Sequence, residues 1–505
     1  MKFILKDNLN FLISVSVLHL LCRILIYFFY LIENELYFSE NYIIALNNQN
    51  FLDYLSFQHS IPIGNIFFSK LLLIIFGKNN LYLIFYLLNS IYTLSILIVF
   101  SKIYYLFFKK NSLLLILVLF LISLSFLSYD TWRVDHYDHI LILFFSLLTL
   151  YFTNIFLKKE KIIFSFQFVF LMALIAIFSN LFIIIYLIFA SFIIVYKYKL
   201  RINFSSFFYS SIIILIIFSS ILIKNKFSIN EFTPTSIKGW NFIQRPLYTL
   251  GYDRYLNLYL EKLSLSKTNQ ICVSDIKSRK EILTNNDFFL SLVLHKCFFD
   301  FENKKEDFNK LKKILKDNNI SNKELDQAIE LDLIDLKKNK WKFSGGHGDI
   351  NLRTTVFFHK EALKVYLSSF VYYPFDMFIG TPSTVDNQGV LFTFLNMFRW
   401  GSQLPYYYEP QHKNFYNKFF IILQSILSLL ILIGLIISFF KSTLFLKNFL
   451  YRKQTSNKDA LIFLILLICL FYNLATSFIT CCENQRNAVM IFPFLITVSM
   501  MSLFA

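Results

Sequence analysis

The sequence predicts an all-α polytopic membrane protein with about ten transmembrane helices and a mainly helical or mixed extracytoplasmic domain inserted before the last three. Three observations carry this prediction. Of the 505 residues, 56% are apolar and only 16% charged, with a mean hydropathy of +0.55. The apolar residues fall into long runs with at most one charged residue each. Lysines and arginines gather in alternate gaps between those runs, which is how a membrane chain sets its orientation.

The runs lie at residues 11–32, 81–101, 112–128, 139–157, 163–179, 181–196, 207–223, 417–440, 459–478 and 487–504. The first is too long for a secretory signal core and has no small-residue cleavage site, so it is expected to remain as a membrane helix. With the N-terminus in the cytoplasm, four groups of basic residues fall inside: Lys102 with Lys109 and Lys110; Lys158, Lys159 and Lys161; Lys197, Lys199 and Arg201; and Lys441, Lys447, Arg452, Lys453 and Lys458.

The same assignment divides the chain into an N-terminal membrane module (1–223, with an outer loop at 33–79), an extracytoplasmic segment (224–416) and a C-terminal membrane module (417–505). IFFSKLLLIIFG in the first outer loop is too short to span and reads as an interfacial helix. The middle of the long segment is polar with helical periodicity and a capping signal at Ser321 to Glu324. Its later part, EALKVYLSSFVYYPFDMFIG and GVLFTFLNMFRW, is aromatic and amphipathic, and reads as chain returning along the membrane surface.

The formal charge of +17 is accounted for by orientation-setting loops and by a segment where bases mix with acids, so it does not point to nucleic acid. Cys22 and Cys469 sit in apolar runs and read as small buried hydrophobes. Cys272 and Cys297 could pair outside the cytoplasm, and the adjacent Cys481 and Cys482 show no metal-site spacing.

Titratable residues gather at the outer membrane edge, where they are costly without a cavity or a partner. In TWRVDHYDHILIL, Asp135 and Asp138 are three apart and share a face if the helix starts early, with His139 beside them; the alternative is a solvated loop whose acids pair with Arg133. ENELYFSENYIIAL contributes Glu33, Glu35 and Glu40 on the same side. Two acidic loops over one cavity are what a base or substrate-positioning site requires. FSGGHGDINLR, with Gly345, Gly346 and Gly348 around His347 and Asp349, reads as a plain turn or an acceptor-binding loop, and lacks the length and lysine of a nucleotide phosphate loop.

With these residues in view, the chain resembles the GT-C glycosyltransferases that use polyprenyl-phosphate sugars, in particular the aminoarabinose transferase and protein mannosyltransferase branch. NELYFSENYIIALNNQNF, HSIP and IIFG follow the order of that family's first outer loop, with Asn34 and Glu35 on its acidic pair, so that one acid is missing. In the second outer loop, Arg133-Val134-Asp135 and Asp138-His139-Ile140-Leu141 offer two registers for the family's aspartate. CCENQRNAVMIFPFLI places Glu483, Arg486 and Pro493 on the family's segment at the last helix.

The resemblance implies attack by a hydroxyl of a glycan, lipid or protein acceptor on the anomeric carbon of a polyprenyl-phosphate sugar, with inversion, on the extracytoplasmic face. It implies Glu35 and Asp138 as the acids nearest the sugar, with Asp135 in reserve. Arg486 and then Arg133 would bind phosphate, with His59, His139, Glu40 and Glu483 around the substrate. No cofactor is specified; a divalent cation would have only acids and His59, His136 and His139 to hold it, without a diagnostic spacing. Two other classes remain: a transporter or flippase of a lipid-linked or polar solute, and a membrane glycan polymerase or ligase, which Arg245, Arg254, Arg353 and Arg399 would serve. The lysine, asparagine, isoleucine and phenylalanine bias fits an AT-rich bacterial genome and hence the plasma membrane.

Overall fold

A computed structural model describes residues 63–108, 137–158, 204–229, 359–380, 389–401, 416–451, 455–479 and 484–504, with isolated positions between 13 and 258 and at 453. Among the described residues every regular element is helical and no strand occurs. In chain order these are α1 (Ile63–Phe76), a 3-10 turn (Lys78–Asn80), α2 (Leu81–Phe108), α3 (Tyr137–Lys158), α4 (Phe204–Ile229), α5 (His359–Tyr372), α6 (Pro374–Ile379), α7 (Val390–Gly401), α8 (Tyr416–Leu450), α9 (Asn457–Ile479) and α10 (Asn484–Phe504).

Among the described residues three helical stretches are long and apolar enough to cross a membrane: Leu83–Phe108, Leu429–Leu450 and Asn457–Phe478. Phe67–Phe76, Asp138–Asn154 and Met490–Phe504 are shorter apolar helices. Helices suit such sequences because hydrocarbon supplies no hydrogen-bond partners, and an α-helix satisfies its backbone internally. Leu432, Ile436 and Phe440 stand exposed on α8, the surface expected of a helix facing lipid.

The helices are longer than the apolar runs suggest. α2 continues to Phe108 and α8 to Leu450, so Lys102, Lys441 and Lys447 ride on helical turns and not in loops. α4 runs from Phe204 to Ile229, so the expected domain boundary at 224 falls inside a helix. Lysine propagates a helix almost as well as leucine, and a charge therefore marks a membrane edge without ending the helix that carries it.

α1 is a helix, as expected for IFFSKLLLIIFG, and ends at Gly77, whose φ of 74° is the left-handed conformation that closes many helices. The Gly77 N–H donates to the Leu73 carbonyl at 3.0 Å, and Asn80 Nδ2 donates to the Phe76 carbonyl at 3.0 Å. The capping signal at Ser321 to Glu324 and the glycine-rich stretch at 345–349 lie outside the described residues.

One core joins α2, α3, α8, α9 and α10. Phe100 of α2 meets Phe494 of α10 edge to face at 5.5 Å. α8 and α10 run parallel in close contact: Ser499 Oγ donates to the Ile431 carbonyl at 3.1 Å, and Ser438 Oγ lies 2.7 Å from Ser502 Oγ. Gly434 makes this possible, since a Cβ there would fall 2.6 Å from Ser499 Cβ and 2.7 Å from its carbonyl oxygen. Small residues at such crossings let backbones approach where lipid provides no hydrophobic drive.

These contacts also order the ends of the bundle. Lys441 Nζ donates to the Ser502 carbonyl at 3.0 Å, satisfying one of the last carbonyls of α10. Lys458, at the start of α9, stands 4.8 Å over the Phe107 ring at the end of α2. The C-terminal ends of α2, α8 and α10 and the N-terminal end of α9 therefore share one lysine-bearing end. The first turns of α3 and α10 and the last turn of α9 share the other.

Candidate functional site

The end of the bundle away from the lysines carries buried ionisable side chains. α3 begins at Tyr137, so Asp138 lies in its first turn, where a carboxylate is favoured by the helix dipole. Asp138 is 3% exposed and His139 is fully buried. Both come from the stretch that the sequence singles out, and the structure places them together at the head of one helix.

Below them, a narrow apolar crevice opens between α3, α9 and α10, lined by Phe145, Thr149, Cys469, Tyr472, Met490 and Phe494. Phe145 is seven residues from Asp138, about 10 Å along the helix axis at 1.5 Å per residue. Arg486 is the third residue of α10, so its backbone stands at the same end, a turn above Met490. Pro493 lies inside α10, and the Pro493 carbonyl accepts a bond from Thr497 Oγ1 at 2.7 Å.

Glu35, Glu40, His59, Arg133, Asp135 and Glu483 lie outside the described residues, as do His136, His347, Cys22, Cys272, Cys297, Cys481 and Cys482. Cys469 is buried and free, as its apolar run suggests. Among the described residues no three His, Cys, Asp or Glu side chains converge as a cation site.

The structure adds residues that pattern reading did not place. Arg245 is fully buried, and its Nη1 donates to Thr393 Oγ1 of α7 at 2.8 Å. Its charge lies close enough to the Tyr366 phenol of α5 to oppose burial, which pushes that phenol up to about 12. Tyr366 Oη in turn donates to the Phe478 carbonyl at 2.6 Å, in the last turn of α9. Asn473, one turn deeper, donates through Nδ2 to the Phe394 carbonyl of α7 at 3.0 Å.

Arg245, Tyr366, Thr393 and Asn473 thus tie α5 and α7 to the end of the bundle that holds Asp138. A lone arginine in a polar segment gives no such signal; only Thr393, a polar residue within the mostly apolar GVLFTFLNMF, hints at an inward face. Arg254 is engaged as well, with Nη1 2.6 Å from Asp376 Oδ2 of α6 at an exposed edge. His19 is a further buried residue without a sequence signal, its Nδ1 2.6 Å from Ser123 Oγ, which joins the first and third apolar runs.

No family model, no curated protein and no solved structure matches the chain.

Proposed function

We propose that the protein is a membrane glycosyltransferase of GT-C type, which moves a sugar from a polyprenyl-phosphate donor to a hydroxyl acceptor on the extracytoplasmic side of a bacterial plasma membrane. The observation that carries this reading is the burial of Asp138 and His139 together at the head of α3, above an apolar crevice between helices. A charged group is kept at such a place when it faces a partner or a reaction. The lysine-bearing end at the opposite side of the bundle supports the orientation, with the Asp138 end outward.

In this reading the Asp138 carboxylate takes the proton of the acceptor hydroxyl as its oxygen attacks the anomeric carbon. The carbon–oxygen bond to phosphate breaks, and the polyprenyl phosphate leaves with the bonding electrons. One displacement inverts the configuration. The leaving group already carries charge well, so cations serve mainly to hold it; Arg486, at the same end, takes that role, with Arg133 second. Glu35 and Asp135 are the further acids that the family resemblance brings to the sugar, with His59, His139, Glu40 and Glu483 around the substrate. A divalent cation is not required by this scheme.

The polymerase or ligase reading draws on outer arginines, but Arg245 and Arg254 already hold Thr393 and Asp376. The test is transfer of radiolabelled sugar from a panel of polyprenyl-phosphate sugars to membrane acceptors, comparing the native chain with Asp138→Asn and Glu35→Gln at matched membrane levels. Transfer by the native chain and its loss in both variants supports the reading. Native transfer that survives both substitutions rejects these residues as the site, and absence of transfer with every donor rejects the class.

A further inference from the structure

The outer face formed by α5, α6 and α7 shows an inverted pattern. In α7, Val390 and Thr393 are buried, while Leu391, Phe392 and Leu395 are exposed, Leu395 by 55%. In α5 and α6, Leu367, Val371, Phe375, Phe378 and Ile379 stand exposed, with Val371 at 73% and Phe375 at 67%. Of the polar residues of this unit, Thr393 points toward buried Arg245 and Tyr366 toward the end of α9, while Lys364, three residues before Leu367, is exposed in the first half of α5. In water such a face would leave large aromatic and aliphatic side chains uncovered across three successive helices, far more than single scattered hydrophobes.

Depth along the bundle says what covers it. Tyr366 is tied to Phe478, in the last turn of α9. Phe394 is tied to Asn473, which precedes the end of α9 by six residues, about 9 Å along its axis. α9 and its neighbours expose apolar side chains at the same levels, Phe471 and Leu474 among them, so the uncovered face of α5 to α7 continues the lipid-facing surface of the bundle. The Arg254–Asp376 ion pair stands at an exposed edge of α6.

Packing holds the unit in that position. The rings of Phe370 and Phe478 are 5.8 Å apart, and Phe378 meets Phe478 at 6.1 Å. A Cβ on Gly389 would fall 2.4 Å from the Gly380 nitrogen, so α7 can start directly against the end of α6 only because residue 389 has no side chain. Arg245 sits beside both arms, bonded to Thr393 of α7 and electrostatically coupled to Tyr366 of α5.

We infer that α5, α6 and α7 form an apolar wedge seated in the hydrocarbon of one bilayer leaflet, with phospholipid acyl chains as the occupant of its exposed face. The wedge goes deeper than a helix lying flat at the interface, because the α7 backbone is bonded within the span of α9. Lipid contact here does not depend on glycosyl transfer, so either conclusion can fail alone.

The test uses the full chain in vesicles of phosphatidylethanolamine and phosphatidylglycerol that contain a phospholipid with a diazirine on its acyl chain. After irradiation, adducts are mapped by mass spectrometry, with Leu432 and Phe440 of α8 as lipid-facing references and buried Leu495 as the blank. The wedge predicts adducts at Val371, Phe375 and Leu395 at a frequency comparable to the α8 references, and little reaction of those residues with a water-soluble diazirine. Adducts confined to α8 and its neighbours would overturn the inference. So would labelling by the water-soluble reagent, or protection of the face accompanied by cross-links between two copies.

Discussion

The two ends of the bundle solve the problem of polar groups in an apolar setting differently. Toward the lysine end, α8 and α10 meet through glycine and serine. Their hydroxyls bond to carbonyls and to each other at short range, as with Ser438 and Ser502, and the charged Lys441 reaches a helix terminus. At the opposite end, Asp138, His139 and Arg245 are buried whole, and bonds between residues far apart in sequence hold the surrounding helices. The first arrangement serves close packing. The second keeps ionisable groups where burial is costly, which a structure tolerates more readily for a task than for stability.

The sharpest way to break this contrast is to neutralise the buried acid. Asp138→Asn keeps the side chain's shape, and transfer of labelled sugar should fall by roughly 100- to 10,000-fold if the carboxylate is the general base. Thermal stability in detergent should change little. A variant that loses stability and activity together would assign Asp138 to the helix dipole instead, and the two ends would no longer differ in purpose.

Arg245→Ala should cost about 2–4 kcal/mol of stability, since it removes a large buried side chain and its bond to Thr393. The loss should concentrate in α5 to α7, read as faster hydrogen exchange there with α8 and α10 protected as before. Gly434→Val is the counterpart at the lysine end. Its Cβ meets Ser499 Cβ at 2.6 Å, and overpacking of this kind costs roughly 1–3 kcal/mol. Exchange should then quicken in α8 and α10 and spare α5 to α7. Identical exchange patterns from the two variants would mean that the ends unfold as one unit.

The same contrast separates what the sequence made legible from what it did not. Long apolar runs announce helices, because lipid leaves the backbone no alternative, and α2, α8, α9 and α10 lie where those runs lie. Their ends were less legible: Lys102 and Lys441 continue a helix as readily as they leave it. The aspartate and histidine before the α3 run stood out because charge beside hydrocarbon is rare, and the structure buries both. Arg245 with Thr393, His19 with Ser123, and Gly434 with Ser499 could not be read, since each depends on which helices become neighbours. Periodicity along one segment carries no information about its partner.

The smallest effect concerns the tie between the wedge and α9. Tyr366→Phe removes the hydroxyl that donates to the Phe478 carbonyl at 2.6 Å, at a cost of about 0.5–1.5 kcal/mol. Burial raises the phenol from its ordinary 10.0 to about 12, so the folded protein holds this proton more tightly than the unfolded chain. The stabilisation is complete below the ordinary value and lost as pH climbs through the raised one. The stability difference between native protein and Tyr366→Phe should therefore be constant through neutral pH and shrink between pH 10 and about 12. A difference that persists unchanged across that window would mean that the ring's packing against Phe370, at 5.1 Å, and not the hydroxyl, fastens α5 to the bundle.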